Sequence, residues 1–126
     1  MARKQSQTLT EAELPIMDVL WEKGSATVGG VAEALAREKP VAYNTVLTLM
    51  RILERKGYVR HTKDGRAFVY HPLVDRGAAC RTAVRQLVNR FFDSSPELLM
   101  LNLLKDEKLD EREIERLREL IGREQG

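Results

Sequence analysis

Residues 43–51 carry side chains that can hydrogen-bond to the edges of DNA bases. In the major groove, Asn can pair with adenine, Arg can pair with guanine, and the Thr methyl group can contact thymine. If YNTVLTLMR forms a helix, its polar residues lie on one side, and Val46 and Met50 lie on the other, buried side. We therefore predict a recognition helix whose base-proximal residues are Tyr43, Asn44, Thr45, Thr48 and Arg51.

Positive charge is concentrated on this helix and on the segment that follows it. Residues 41–72 contain six Lys or Arg residues and two acidic residues, whereas residues 73–126 contain 10 basic and 11 acidic residues. A solvated charged surface would explain the charge alone, but not the scarcity of acidic residues together with the hairpin predicted below. We predict that the residues contacting the phosphate backbone are Arg55, Lys56, Lys63 and Arg66.

Residues suited to other chemistry are few. The two histidines, His61 and His71, lack neighbouring ligands at the spacing of a metal site, so we expect both to be exposed strand residues. The single cysteine, Cys80, lies in an apolar helical pattern and is expected to be a small buried hydrophobe. The sequence has no Gly-Xaa-Ser-Xaa-Gly motif and no glycine-rich phosphate loop. We therefore predict no catalytic residues, no metal and no cofactor.

The base-proximal residues belong to the third of three predicted helices. Thr10 and Glu13 form a capping-box pattern at the start of the first helix, which ends at Gly24. Thr27 can cap the second helix, and the stretch SATV before it can extend as a short strand. The third helix ends at Gly57.

Two stretches with alternating side chains, YVRHT and AFVYH, follow the third helix. They are joined by KDGR, in which the central Asp-Gly pair is a strong hairpin signal, and Pro72 ends the second strand. Three helices followed by a two-stranded hairpin indicate a winged helix-turn-helix domain over residues 1–72, with the hairpin as the wing.

Residues 73–126 have the pattern of three further helices. Ser95 with Pro96 opens the second of these, and Asp110 with Glu113 opens the last. Such short helices cannot bury their apolar stripes alone, so they pack either on the N-terminal half or against a second copy. We favour the second copy, and thus a helical dimerisation domain whose interface contains Leu87, Phe91, Leu98, Leu101, Ile114 and Leu117. The predicted fold class is mainly α with a small β-hairpin wing.

The composition is that of a globular protein. Of 126 residues, 43% are hydrophobic and 32% are charged. No apolar run approaches the roughly 20 residues of a membrane span, and no apolar stretch follows the basic N-terminus as a secretory signal would require. We expect a cytoplasmic protein without membrane insertion.

Three segments together resemble the penicillinase-repressor family of winged-helix transcriptional regulators, of the BlaI, MecI and CopY type. They are LTEAELPIMDVLWEKGSATVGGVAEAL, AYNTVLTLMRILERKGYVRHTKDGRAFVYHP and the helical tail, and they span Leu9 to Ile121. The resemblance implies a homodimeric repressor on a palindromic double-stranded DNA operator. It also implies that Asn44, Thr45 and Thr48, with Arg51, occupy recognition-helix positions.

The resemblance also implies a route to induction. The best-known members are cleaved at an Asn-Phe bond under control of a membrane sensor protease, and the matching position here is Asn102-Leu103. Asn102 and Leu103 are therefore the candidate cleavage site, and such a protease is a candidate partner. Copper sensing through a C-terminal cysteine cluster is not supported, because the sequence has a single cysteine, Cys80, and no cluster. The alternatives are a winged-helix protein-interaction module and an activator with the same DNA-binding mode.

Overall fold

The computed structural model of the chain describes residues 8–106 and 110–125. Contacts divide the chain into two compact units, the first ending at Gln86 and the second beginning at Leu87. The elements are the helices α1 (Leu14–Lys23), α2 (Val28–Leu35), α3 (Tyr43–Lys56), α4 (Arg76–Phe91), α5 (Pro96–Asp106) and α6 (Glu111–Gln125), and the strands β1 (Ala26–Thr27), β2 (Val59–Asp64) and β3 (Ala67–Pro72). The predicted fold class, mainly helical with a small sheet, is confirmed.

The helix boundaries of the first unit follow the predicted local signals. Thr10 N donates to Glu13 Oε1 at 2.9 Å, and Glu13 N donates to Thr10 Oγ1 at 3.2 Å, which is the reciprocal pattern of a capping box. Thr27 Oγ1 accepts from Gly30 N at 3.0 Å and caps α2. Gly57 ends α3 in the left-handed conformation, with φ of 90°, which a residue with a Cβ adopts only under strain.

The sheet has three antiparallel strands in the order β1-β3-β2. The stretch SATV contributes β1, in which Thr27 pairs with Val69. Asp64 pairs with Ala67, so the central residues of the wing turn are Gly65 and Arg66 rather than the predicted Asp-Gly pair. Gly65 has φ of 64°, and glycine with positive φ at the first central position is typical of a type II′ hairpin turn. The hairpin was predicted correctly, but its turn is shifted by one residue.

The core of the first unit lies between the three helices and the inner face of the sheet. Its fully or almost fully buried side chains are Ile16, Met17, Leu20, Val31, Val46, Met50, Leu53, Val59 and Tyr70. Three of them lie on α3 at Val46, Met50 and Leu53, the spacing of one helical face. Burial of this face fixes the rotation of α3, and the opposite face is thereby directed to solvent.

The first unit extends beyond the wing into α4. Trp21 Nε1 donates to the carbonyl oxygen of Val74 at 2.8 Å. The Arg76 guanidinium lies 2.9 Å from Asp18 Oδ1 and 4.8 Å from the centre of the Trp21 ring, and Ala79 is buried in the core. These contacts attach the start of α4 to α1. The division after Gln86 therefore falls 14 residues later than the sequence-based boundary after residue 72.

The second unit consists of the end of α4 with α5 and α6. Ser95 Oγ accepts from Leu98 N at 3.2 Å at the start of α5. Asp110 and Glu113 make the predicted reciprocal capping bonds of α6, at 3.1 and 2.9 Å. Among the described residues from 87 to 124, only Val88 is buried. The described helices include none that is both long enough and apolar enough to cross a membrane.

Candidate nucleic-acid interface

The five base-proximal residues share the solvent-facing side of α3. Tyr43, Asn44, Thr45, Thr48 and Arg51 are all exposed, and the Tyr43 side chain is 54% accessible. The buried side chains of α3 are inaccessible by comparison. The predicted division of this helix into a polar outer side and an apolar inner side is therefore present, although base contact by these residues stays a prediction.

The Thr48 hydroxyl has an intrahelical partner that limits what it can offer to a base. Thr48 Oγ1 donates to the carbonyl oxygen of Asn44 at 3.0 Å, a bond from residue i to residue i−4. Because the hydroxyl proton is used in this bond, the groups left for recognition are the oxygen lone pairs and the methyl group. In this rotamer Thr48 is suited to accept a hydrogen bond or to contact a thymine methyl group.

The predicted phosphate-contacting residues of the wing are Lys63 in β2 and Arg66 in the turn. His61 pairs with Tyr70, and Lys63 pairs with Phe68, so these four side chains share one face of the β2–β3 ladder. Tyr70 is buried in the core beside α3, and this face of the wing therefore continues the surface of α3 outward. Arg66 is exposed in the turn at the tip. Contact of Lys63 and Arg66 with a DNA backbone stays a prediction.

Lys56 has a structural role that the sequence did not reveal. Its Nζ donates to Glu13 Oε1 at 2.8 Å and to the carbonyl oxygen of Thr8 at 3.2 Å. The Lys56 side chain is 14% accessible, and that of Glu13 is 2% accessible. Because the ammonium group neutralises a buried carboxylate, it is not free to bind a phosphate. We therefore leave Lys56 out of the phosphate contacts proposed below.

Ionisable residues of α3 surround the tyrosine at the base of the wing. Burial raises the pKa of Tyr70 above its ordinary value of 10.0, and Glu54 raises it further, whereas Arg51 acts in the opposite direction. Tyr58 lies beside the Lys56–Glu13 pair, and its pKa is raised by burial and then by the Glu13 charge. Both phenols therefore stay neutral well above neutral pH.

The structure reveals a further contact between α3 and the wing. His61 Nδ1 lies 2.9 Å from both carboxylate oxygens of Glu54. The sequence contains one signal of this contact, because Glu54 is the only acidic residue between 43 and 56 and β2 runs back past its helix. Sequence reasoning did not use that signal.

The two histidines have separate environments. His61 is exposed, as predicted, whereas His71 is only partly exposed, and its Nε2 lies 2.9 Å from Thr62 Oγ1. No group of three or more potential ligands within the described ranges is placed to hold a metal ion. The prediction for Cys80 was wrong, because this residue is exposed on α4. An apolar pattern did not bury it, since only part of α4 packs on the core of the first unit.

The remaining candidate residues lie in the second unit. Asn102 and Leu103 are exposed within α5, and Leu103 is 38% accessible. Ile114 is partly buried, and the other five candidate interface residues are exposed by 39% to 68%, namely Leu87, Phe91, Leu98, Leu101 and Leu117.

Comparison with known proteins places the chain in a family. A sequence model of the penicillinase repressor family matches residues 9–123. The chain is 29% identical over 118 residues to the penicillinase repressor of Bacillus licheniformis, covering 94% of this chain and 92% of that protein. It is 27% identical over 115 residues to the methicillin resistance regulatory protein MecI of Staphylococcus aureus strain N315, and this match covers 91% of this chain and 94% of that protein.

Solved structures of relatives match the first unit, and one of them contains DNA. It is the solution structure of the Bacillus licheniformis BlaI monomeric form in complex with the blaP half-operator. The TM-score is 0.50 at 31% identity, and the match covers 62% of this chain and 93% of that chain. The family match over almost the whole length, together with this winged helix, gives the assignment. The chain belongs to the penicillinase repressor family.

Proposed function

We propose that this protein is a transcriptional repressor that binds a double-stranded DNA operator through α3 and the wing. The observation that carries the proposal is the outward, polar side of α3, set beside a basic wing by a well-packed core. The relatives named as repressors, and the 31% identical relative in complex with a half-operator, support it.

In this proposal α3 lies in the major groove, and the wing lies along the flanking backbone. The exposed residues of its first three turns, Asn44, Thr45, Thr48 and Arg51, are directed to base edges, and Tyr43 lies at the entry to the helix. Arg55 at the end of the helix, with Lys63 and Arg66 of the wing, contacts phosphates.

The proposal includes a homodimer formed by the second unit. In its described part, one buried residue is too few for a core of its own, while ten large apolar side chains from Leu87 to Ile121 are at least 38% accessible. A second copy would cover these side chains, and a two-fold dimer matches the symmetry of a palindromic operator. The assembly would act in the cytoplasm.

Release of the operator by proteolysis completes the proposal. The Asn102-Leu103 bond is the candidate site, and a membrane sensor protease is the candidate enzyme. Because both residues are within α5, the helix must open locally before a protease can hold this bond in an extended form. Mass spectrometry of the protein from induced cells tests this step, and intact chains under full induction would contradict it.

DNA binding is tested with a duplex from the promoter of the protein's own operon and a shuffled duplex of equal composition. We expect tighter binding to the promoter duplex, and weaker binding to both as salt is raised. Equal affinity for both duplexes would contradict operator recognition. A protein-interaction module would show no salt-dependent DNA binding, and an activator would raise rather than lower transcription from a reporter.

A further inference from the structure

We infer that Glu54 and His61 are positioning residues that hold the wing against the recognition helix, and that their ion pair makes operator binding depend on pH. The inference rests on the proposed DNA-binding function and adds a regulated contact inside that site. Its central observation is a contact between the two side chains, in which His61 Nδ1 lies 2.9 Å from each carboxylate oxygen of Glu54.

The pair joins two elements that contact DNA in different ways. Glu54 belongs to α3, which carries the base-proximal residues, and His61 belongs to β2, two residues before Lys63. The imidazole also contacts aromatic rings of the wing, since its centre lies 4.7 Å from that of Phe68 and 5.5 Å from that of Tyr70. A side-chain contact at the surface therefore joins the wing to the helix, in addition to the core residues Val59 and Tyr70.

The charge of the pair depends on the proton of His61. Glu54 is the only acidic residue of α3, and an unpaired carboxylate on this surface would repel phosphates. Protonated His61 neutralises the carboxylate and forms an ion pair with it, whereas the neutral ring leaves the carboxylate charge in place. Arg51 and Tyr43 of α3 and Tyr70 of β3 are ionisable groups near this contact. Lys63 lies on the same face of β2 as His61.

The expected direction follows from these charges. Histidine is the side chain that changes charge between about pH 5 and 8. Protonation of His61 strengthens the pair and removes its net negative charge, and both changes favour DNA binding at lower pH. The two side chains are 37% and 34% accessible, and exposed ion pairs are weak, so we expect an effect on affinity of about two- to fivefold.

Four substitutions separate the inference from its alternatives. Glu54→Asp keeps the negative charge but moves the carboxylate away from the imidazole by the length of one methylene group. Glu54→Gln removes the charge, and His61→Gln removes the imidazole ring. His71→Gln is the matched control, because His71 is the only other histidine and has no carboxylate partner among the described residues. Operator affinity is measured for each at about pH 6 and about pH 8.

For the wild type and His71→Gln we expect tighter binding at the lower pH. Glu54→Asp, Glu54→Gln and His61→Gln should bind about two- to fivefold more weakly at that pH and should lose the pH dependence. If Glu54 acted only by repelling DNA, Glu54→Gln would bind more tightly and Glu54→Asp would bind like the wild type. Either result, or loss of the pH dependence in His71→Gln, would overturn the inference.

A measurement without DNA keeps the test independent of the proposed function. Amide hydrogen exchange of β2 and β3 should be faster in Glu54→Asp than in the wild type, while exchange in α1 stays unchanged. Unchanged exchange in the wing would refute the positioning role whatever the DNA result. Failure of the wild type to prefer its promoter duplex would instead refute the proposed function and leave the exchange result standing.

Discussion

Loss of the Lys56 ammonium group should destabilise the first unit strongly while leaving DNA contacts intact. In Lys56→Gln, the Glu13 carboxylate would stay buried without the ammonium group that neutralises it. Breaking a fully buried ion pair costs about 3–5 kcal/mol. Because the Lys56 side chain is 14% accessible and water can partly replace it, we expect a loss of about 2–3 kcal/mol in the free energy of unfolding.

Urea unfolding measures this loss. With a denaturant slope of about 1–3 kcal/mol per molar, the midpoint should fall by roughly 1–2 M without a change in slope. Protein concentration must be matched between variants, since the proposed dimer makes the midpoint depend on it. Lys63→Gln is the control, because this exposed lysine should change stability by less than about 0.5 kcal/mol.

The double variant Glu13→Gln with Lys56→Gln tests whether the cost comes from the pair. Removing both charges leaves no buried carboxylate without its partner, so the double variant should lose less than Lys56→Gln and Glu13→Gln combined. In the folded state, Lys56→Gln should keep the wild-type salt dependence of DNA binding, whereas Lys63→Gln should lower its slope by about one. A stable Lys56→Gln variant with a reduced salt slope would refute the structural role and restore Lys56 to the phosphate contacts.

Three further expectations concern the bases, the dimer and alkaline pH. Thr48→Ala and Arg51→Ala should each lower operator affinity by about 1–3 kcal/mol and spare binding to the shuffled duplex, whereas Lys63→Ala should weaken both, as measured by titration with labelled duplex. Phe91→Asp should give a monomer in sedimentation, because it places a charge on the exposed apolar face, and an unchanged dimer would exclude that residue from the interface. Because the pKa of Tyr70 is raised in the folded state, the contribution of this residue to the free energy of unfolding is complete below pH 10.0 and is lost as pH rises through the folded-state pKa. The urea midpoint should therefore fall less steeply at alkaline pH in Tyr70→Phe than in the wild type. An equally steep fall in both proteins would contradict this.

The features that the sequence predicted well are those determined by neighbouring residues. A capping box needs two residues three positions apart, and both Thr10 with Glu13 and Asp110 with Glu113 make the expected bonds. The two sides of α3 likewise follow from helical periodicity alone. The hairpin was found from its Asp-Gly signal, although register placed Gly65 one position earlier in the turn than expected.

The features that the sequence did not predict depend on residues far apart in the chain. Lys56 has its partner 43 positions away, and Trp21 bonds to a carbonyl 53 positions away. Contacts between residues so far apart produce no local pattern from which they could be predicted. The first unit ends later than the predicted domain boundary for the same reason, since the start of α4 is attached to α1 by contacts that no local pattern encodes.

The bond between Trp21 and Val74 makes the chain's single tryptophan an optical probe of α4. The indole donates to the segment just before α4 and lies under the Arg76 guanidinium, so its emission is sensitive to whether that end of the helix stays attached. Detachment of α4 would expose the ring to water and shift the emission to longer wavelength. Tryptophan fluorescence therefore reports whether an event in the second unit, such as cleavage or loss of the second copy, reaches the DNA-binding unit.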